Sequence, residues 1–208
     1  RIIAPEGASY RSSSGTVSGA FKIDLPAAKQ YSRTMMRMTV KIYQYNTGKS
    51  HTIELGGYNY NSGNWYNTFA HNTTDSGENF NVRFGYDGDS NAIWIGETTT
   101  GWHHPQVYVT EFQGGYGRYD EDWATGWNIS LVSSFDSVTS TRTASEIWGS
   151  NNDGSGSGLD ADTLDGLSSG AFIRDYAPGN WEITSSTENS GYQYAALEVR
   201  EVNHAGSQ

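Results

Sequence analysis

The chain has no cysteine, which excludes disulfides and thiolate metal sites. Positive charge is scarce: 13 Lys and Arg stand against 23 Asp and Glu, a formal net charge of -10. Such a surface repels nucleic acid and anionic membranes, so neither is expected as a partner. No apolar run is long enough to span a membrane and no signal-peptide pattern occurs, so membrane insertion is not expected. A Gly-x-Ser-x-Gly elbow, a His-Glu-x-x-His helix and a phosphate-binding glycine loop are all missing. The chain therefore reads as a non-enzyme, with no catalytic, cofactor-binding or metal-binding residues assigned and no cofactor. An extracellular protein without disulfides draws its stability from elsewhere, and oligomerisation is the usual alternative.

What is present points to β-structure. Hydrophobic residues make up only 35%, yet aromatics reach 13%, with 14 Tyr and 7 Trp. Disordered chains are poor in aromatics, so this is not disorder. Residues 34–43 show the clearest pattern: Met36, Met38, Val40 and Ile42 alternate with Arg37, Thr39, Lys41 and Tyr43. That period of two is a half-buried antiparallel strand. Residues 20–25, 51–58, 106–112 and 127–131 read as further strands. Phe80, Val82, Phe84 and Tyr86, the turn Asp87-Gly88-Asp89 and the run Ile93-Trp94-Ile95 form a hairpin signature. Residues 59–79 read as irregular and aromatic, and 101–104 as a loop. No segment could supply a crossover helix, which excludes parallel βαβ units. The expected fold is all-β: an antiparallel sandwich or jelly-roll-like module over residues 1–135. A Ser/Gly-rich linker follows over 136–158, and a further β-rich module begins at 177. The start at Arg1 suggests a piece of a longer protein.

Between linker and final module, residues 159–176 hold Leu159-Asp160-Ala161-Asp162-Thr163-Leu164-Asp165-Gly166, then Leu167, Phe172 and Ile173. Asp162 suits an N-cap and Gly166 a terminator, giving one or two helical turns with the apolar side chains on one side. So few apolar residues cannot bury themselves and need neighbours. The octapeptide resembles a segment that recurs in bacteriophage tail-fibre proteins, between β-rich modules of a homotrimeric fibre. Val82-Arg83-Phe84-Gly85-Tyr86-Asp87-Gly88, Ile95-Gly96-Glu97 and residues 105–112 are similar to a tail-fibre module. Ala196-Leu197-Glu198-Val199-Arg200-Glu201-Val202-Asn203 is similar to stretches that follow the same octapeptide. The resemblance implies a virion protein located outside the cell, structural and adhesive, that attaches the particle to its bacterial host. Its partners would be itself as a homotrimer, other tail-fibre or baseplate proteins, and a host surface glycan. The trimer interface would centre on Leu159, Leu164, Leu167, Phe172 and Ile173.

Candidate chemistry is thinner. Trp65, Tyr66, Trp102, Tyr116, Tyr119 and Trp123 fall in loop-like stretches beside polar residues, where aromatic faces suit sugar rings. Most such rings instead plug the ends of a sandwich or a subunit interface. Glu97, Glu111, Asp120, Glu121 and Asp122 could supply a carboxylate pair for glycoside hydrolysis; acidic residues between turns more often just face solvent. Asp87, Asp89 and Asn91 match the start of a calcium loop, but the glycine spacing favours a plain turn. His103 and His104 are adjacent and point apart, which argues against one shared metal. Asn72-Thr73-Thr74 and Asn128-Ile129-Ser130 match glycosylation acceptors, relevant only in a eukaryotic secreted protein. Two other readings remain: a carbohydrate-binding module of a secreted glycan-degrading enzyme, and a fibre-borne depolymerase.

Overall fold

The structure is a computed structural model that describes residues 4–27, 33–45, 48–74, 77–115 and 123–146, and the backbone of 163–164 and 167–168. The chain divides into two units, residues 1–159 and 160–208. No α-helix occurs among the described residues, as the alternating pattern predicted.

The first unit holds β1 (Ser9–Arg11), β2 (Thr16–Ser18), β3 (Ala20–Asp24), β4 (Thr34–Gln44), β5 (Lys49–Asn61) and β6 (Asn64–Asn72). These are followed by β7 (Phe80–Tyr86), β8 (Asn91–Ile95), β9 (Gly101–His103), β10 (Pro105–Gly115), β11 (Asn128–Val132) and β12 (Ser137–Glu146). Ten strands form one barrel-like sheet in the order β1-β10-β4-β5-β6-β12-β7-β8-β3-β11. The two edges approach each other: the Glu6 N–H donates to the Ala124 carbonyl at 2.7 Å, and Gly7 lies against the backbone of Trp127. β2 and β9 pair separately.

Burial follows from alternation. β4 buries every second residue along its whole length, Thr34, Met36, Met38, Val40, Ile42 and Gln44. With Ile53, Leu55, Val107, Val109 and Phe112 they face Phe21, Ile23, Phe80, Val82, Phe84, Ile93, Ile95 and Ile129 of the other half-sheet in one core. Trp102 lies inside it, stacked on Phe80 at 5.5 Å between ring centres, and its indole N–H donates to the Gly19 carbonyl at 2.8 Å.

Several expectations need correction. Residues 137–146 are not linker; they form β12, which joins the two half-sheets. Its β-branched Val138, Thr139, Thr141 and Thr143 suit a strand, but their side chains are exposed, so no apolar alternation marked it. β12 runs parallel to β6 at Ser145↔His71 and Glu146↔Asn72, the single parallel pair among the described strands of the sheet. Elsewhere this seam is bridged by side chains: Thr68 and Ser140 hydroxyls lie 2.6 Å apart, and Arg142 Nε donates to Thr68 Oγ1 at 3.0 Å. Residues 59–79, expected to be irregular, contain the end of β5 and all of β6; residues 101–103, expected to be a loop, are β9. In the second unit, β13 (Thr163–Leu164) and β14 (Leu167–Ser168) pair antiparallel, with Leu164 opposite Leu167. The sequence suggested helical turns there; the rest of that motif lies outside the described residues, as does the expected module from 177.

The β7–β8 turn is closed by Asp87, whose Oδ1 accepts from the N–H groups of Asp89 and Ser90. Its Oδ2 accepts from Lys22 Nζ at 2.6 Å, and Lys22 also meets Asp24 at 3.0 Å. Burial alone would raise the Asp87 pKa, but the bonds from Lys22, Ser90 and Asp89 outweigh it and bring it to about 2. A depressed carboxylate pKa means stability that is present above the unfolded value and lost as pH falls toward the folded one. Asp87→Asn is therefore expected to destabilise the module near neutrality. Its deficit against the parent should shrink between about pH 4 and pH 2, as read by urea denaturation across pH; a deficit independent of pH would refute this origin.

At Gly85 a Cβ would lie 1.9 Å from the Ser137 carbonyl, whereas at Gly115 it would meet nothing. Gly85→Ala should push β12 away and cost about 1–3 kcal/mol, while Gly115→Ala should stay within about 0.5 kcal/mol of the parent.

Candidate functional site

The register of β4 lays out an outer face of the β1-β10-β4-β5-β6 half-sheet as rows of side chains. Directly paired residues in neighbouring strands share a face. The rows are Arg11–Gln106–Tyr43–Ser50, then Ser9–Tyr108–Lys41–Thr52. Next come Glu111–Thr39–Glu54–His71, Gln113–Arg37–Gly56–Phe69 and Gly115–Met35–Tyr58–Tyr66. From Tyr43 to Met35 is eight residues along β4, roughly 27 Å at strand rise.

The face is aromatic at both ends and charged in the middle. At one end Met35 is 51% and Tyr66 53% exposed, and Tyr60 is also exposed. Tyr58 lies 6.3 Å from Tyr60 and 6.4 Å from Tyr66 between ring centres, and the Arg33 guanidinium sits 5.1 Å from the centre of the Tyr60 ring. Phe69 stacks on His71 beside them. At the other end Tyr43, Tyr45 and Tyr108 are exposed, with Tyr45 set edge-on to His104. Single exposed aromatics are ordinary on a protein surface; clustered ones mark a contact surface. The middle carries Glu54, paired with Arg37 at 2.5 Å, and Glu111 on the far side of Thr39. A hollow of about 170 Å³ opens there between Arg37, Thr39, Glu54, Glu111 and Gln113.

The bulges explain why this face was only half visible in the sequence. Gly57 opposes two residues of β6, Asn67 and Thr68, since Gly56 pairs with Phe69 and Tyr58 with Tyr66. Asn67 takes φ 49°, a left-handed conformation that Asn tolerates. The extra residue brings both Tyr66 and Phe69 to the outside, although they are three apart.

Of the four described aromatics among the six singled out for sugar contact, Tyr66 alone lies on this face. Trp65 is its neighbour and so points the opposite way: it is buried against Phe84 and donates to the Gly85 carbonyl at 3.1 Å. Trp102 is inside the core. Trp123 is buried against Phe112 and Trp127. None of these three offers a ring face to a ligand, and all three are core residues. Tyr116 and Tyr119 lie outside the described residues, as do Leu159, Phe172 and Ile173 of the expected trimer interface; Leu164 and Leu167 are described in backbone alone. Tyr43, Tyr45, Tyr58, Tyr60 and Tyr108 were missed, although Tyr43 and Tyr108 stand at outward positions of legible strands.

Of the candidate carboxylates, the two described ones, Glu97 and Glu111, lie apart. Glu97 lines a separate open groove of about 510 Å³ with Phe80, Asn81, Thr100 and Thr143. There Arg83 and Asn81 hold it, and the Arg83 bond above all keeps its pKa below the usual value. Glu111 belongs to the tyrosine face, and Asp120, Glu121 and Asp122 lie outside the described residues. His103 Nδ1 is 3.1 Å from Thr16 Oγ1. Among the described residues no group of three or more His, Asp and Glu is arranged to hold a metal. Compared with known protein families and curated proteins, the chain matches no family model and no curated protein.

Trp65→Ala should cost about 3–5 kcal/mol in stability, whereas Tyr66→Ala should change it by about 0.5 kcal/mol or less. Thermal or chemical denaturation of the two variants checks this opposite assignment of adjacent residues; equal losses would refute it.

Proposed function

We propose that this chain is an adhesive segment of a homotrimeric bacteriophage tail fibre, outside the cell on the virion, whose tyrosine-bearing half-sheet contacts a glycan of the bacterial surface. The observation that carries the adhesive part is the exposed row Met35–Tyr58–Tyr66 with Tyr60 beside it. Flat rings on a rigid strand scaffold can stack on sugar rings and cover their C–H faces at little entropic cost. The fibre part is supported by the octapeptide at 159–166 and by the stretches similar to fibre modules on either side of it. In this reading the β-rich unit is a sandwich-like fibre module, and the chain joins other tail-fibre or baseplate proteins. Leu159, Leu164, Leu167, Phe172 and Ile173 meet their copies around the fibre axis. Each contributes about 1.5–3 kcal/mol if fully buried, which a lone chain has no means to collect.

One feature favours a second reading. Glu54 and Glu111 flank a hollow in the middle of the same face, and a fibre-borne depolymerase needs two carboxylates about a glycosidic bond. Glu54 is committed to Arg37, so the first reading is preferred; release of reducing sugar that ends with Glu111→Gln would reverse that preference. A monomeric carbohydrate-binding module of a secreted enzyme is separated by mass alone.

Native mass measurement should find three copies, and Leu164→Asp should abolish trimers by placing three charges near the axis. On an array of bacterial surface polysaccharides, Tyr58→Ala with Tyr66→Ala should lower retention at least about tenfold, a loss of about 1.4 kcal/mol. A monomer would count against the fibre, and unchanged retention against the tyrosine face.

A further inference from the structure

The far end of the tyrosine face differs from the end just discussed in its charge. Among the described residues, Lys22, Arg37, Lys49 and Arg83 each meet a carboxylate. Arg33 lies over Tyr60, and Arg142 donates to Thr68. Arg11 and Lys41 have neither an ion pair nor a ring beneath them, and both are exposed. In a chain with ten more acidic than basic residues, two unpaired cations in adjacent rows of one sheet face are unexpected.

Their neighbours suit a ligand. Arg11 and Tyr43 flank Gln106 in one row, and Tyr108 stands between Ser9 and Lys41 in the next. Gln106 Oε1 accepts from the Tyr108 hydroxyl at 3.0 Å, which leaves the Gln106 amide NH₂ as a donor. Tyr45, 69% exposed, leans against His104 at the rim. These two rows hold no carboxylate; Glu54 and Glu111 stand in the row beyond.

We propose that Arg11, Lys41, Gln106, Tyr43 and Tyr108 form a subsite for a carboxylate-bearing sugar of an acidic polysaccharide. The proposal rests on the reading that this half-sheet binds glycan and adds the chemical class of one sugar. Arginine presents a planar fork that matches a carboxylate in two hydrogen bonds, and lysine adds a mobile point charge. The tyrosines supply ring faces for the sugar that carries the acid. Glu54 and Glu111 set a limit on the pattern. A polymer with an acid on every unit would lay one across them, so the preferred ligand alternates acidic and neutral sugars.

The test uses hyaluronan oligosaccharides, in which every second sugar bears a carboxylate, beside the same oligosaccharides as neutral methyl esters. Binding to the whole chain is read by calorimetry at low and high salt. The acid form should bind at least about tenfold more tightly than the ester, and salt should weaken the acid form alone. Arg11→Gln with Lys41→Gln should erase that preference. An ester that binds as well as the acid overturns the proposal, as does a preference that survives the double variant or failure of both forms to bind. Because the polysaccharide array reads Tyr58 and Tyr66 at the opposite end, the two failures are separable. Array retention that depends on those tyrosines, without any acid preference, removes this subsite and leaves the adhesive reading intact.

Discussion

Both the core and the outer face hang on the register of one strand. β4 pairs along its whole length with β5 and nearly so with β10, and it buries every second residue without exception. Moving it by one residue would turn Met36, Met38, Val40 and Ile42 to water and drive Arg37, Lys41 and Tyr43 into the core. The burial that such a slip would forfeit is far larger than any contact on the outside. The positions of the tyrosines are therefore a by-product of core packing, and the face is rigid because the core is. A surface built in this way presents its rings already ordered, so little side-chain freedom remains to be lost when a partner arrives.

What could be read from the sequence divides along the same line. β4 was legible because one of its faces is dry and the other wet, so its alternation is complete. The β7–β8 hairpin was legible because Asp87 and Gly88 carry turn chemistry between two apolar runs. β6 was not, because the bulge at Asn67 breaks the period of two, and reading through it as irregular put both Trp65 and Tyr66 among the candidate sugar contacts. β12 failed for a different reason. Ala144 is fully buried while its threonines are exposed, so composition suggested a linker. It is held instead by backbone ladders and hydroxyl contacts, which leave no mark in hydropathy.

The candidate site was less legible than the fold for a related reason. Aromatic residues in polar surroundings look alike in sequence whether they cap a core or face solvent. Trp102 lies between Gly101 and His103 in a stretch with no apolar alternation, yet its ring is fully buried in the core against Phe21 and Phe80. Tyr45 also has polar neighbours, and it is the most exposed large hydrophobic residue among those described. Only the pairing of strands distinguishes them. The octapeptide at 159–166 is the reverse case: it stood out in the sequence, while most of it lies outside the described residues.

The two outer faces of the sheet argue that the tyrosine rows are more than an ordinary wet surface. The outer face of β7, β8 and β3 carries Arg83, Trp94 and Lys22 in one row. There the chain covers itself. The segment between β11 and β12 lays Phe135 edge-on to Trp94 at 6.3 Å and beneath the Arg83 guanidinium at 4.2 Å, while Asp136 reaches to 4.0 Å of Lys22. Trp94 is thereby fully buried although it points away from the core, and each cation there has an acidic partner. Across the sheet, no described segment is laid over Met35, Tyr58 and Tyr66, and Arg11 and Lys41 keep their charge unpaired. The described residues thus close one outer face and leave the other open, with rings and cations in place. An uncovered aromatic surface raises the risk of aggregation, and a molecule that can cover one face in this way has the means to cover both. Among the described residues, then, the two outer faces differ: one is covered by the segment between β11 and β12, and the tyrosine rows are left bare.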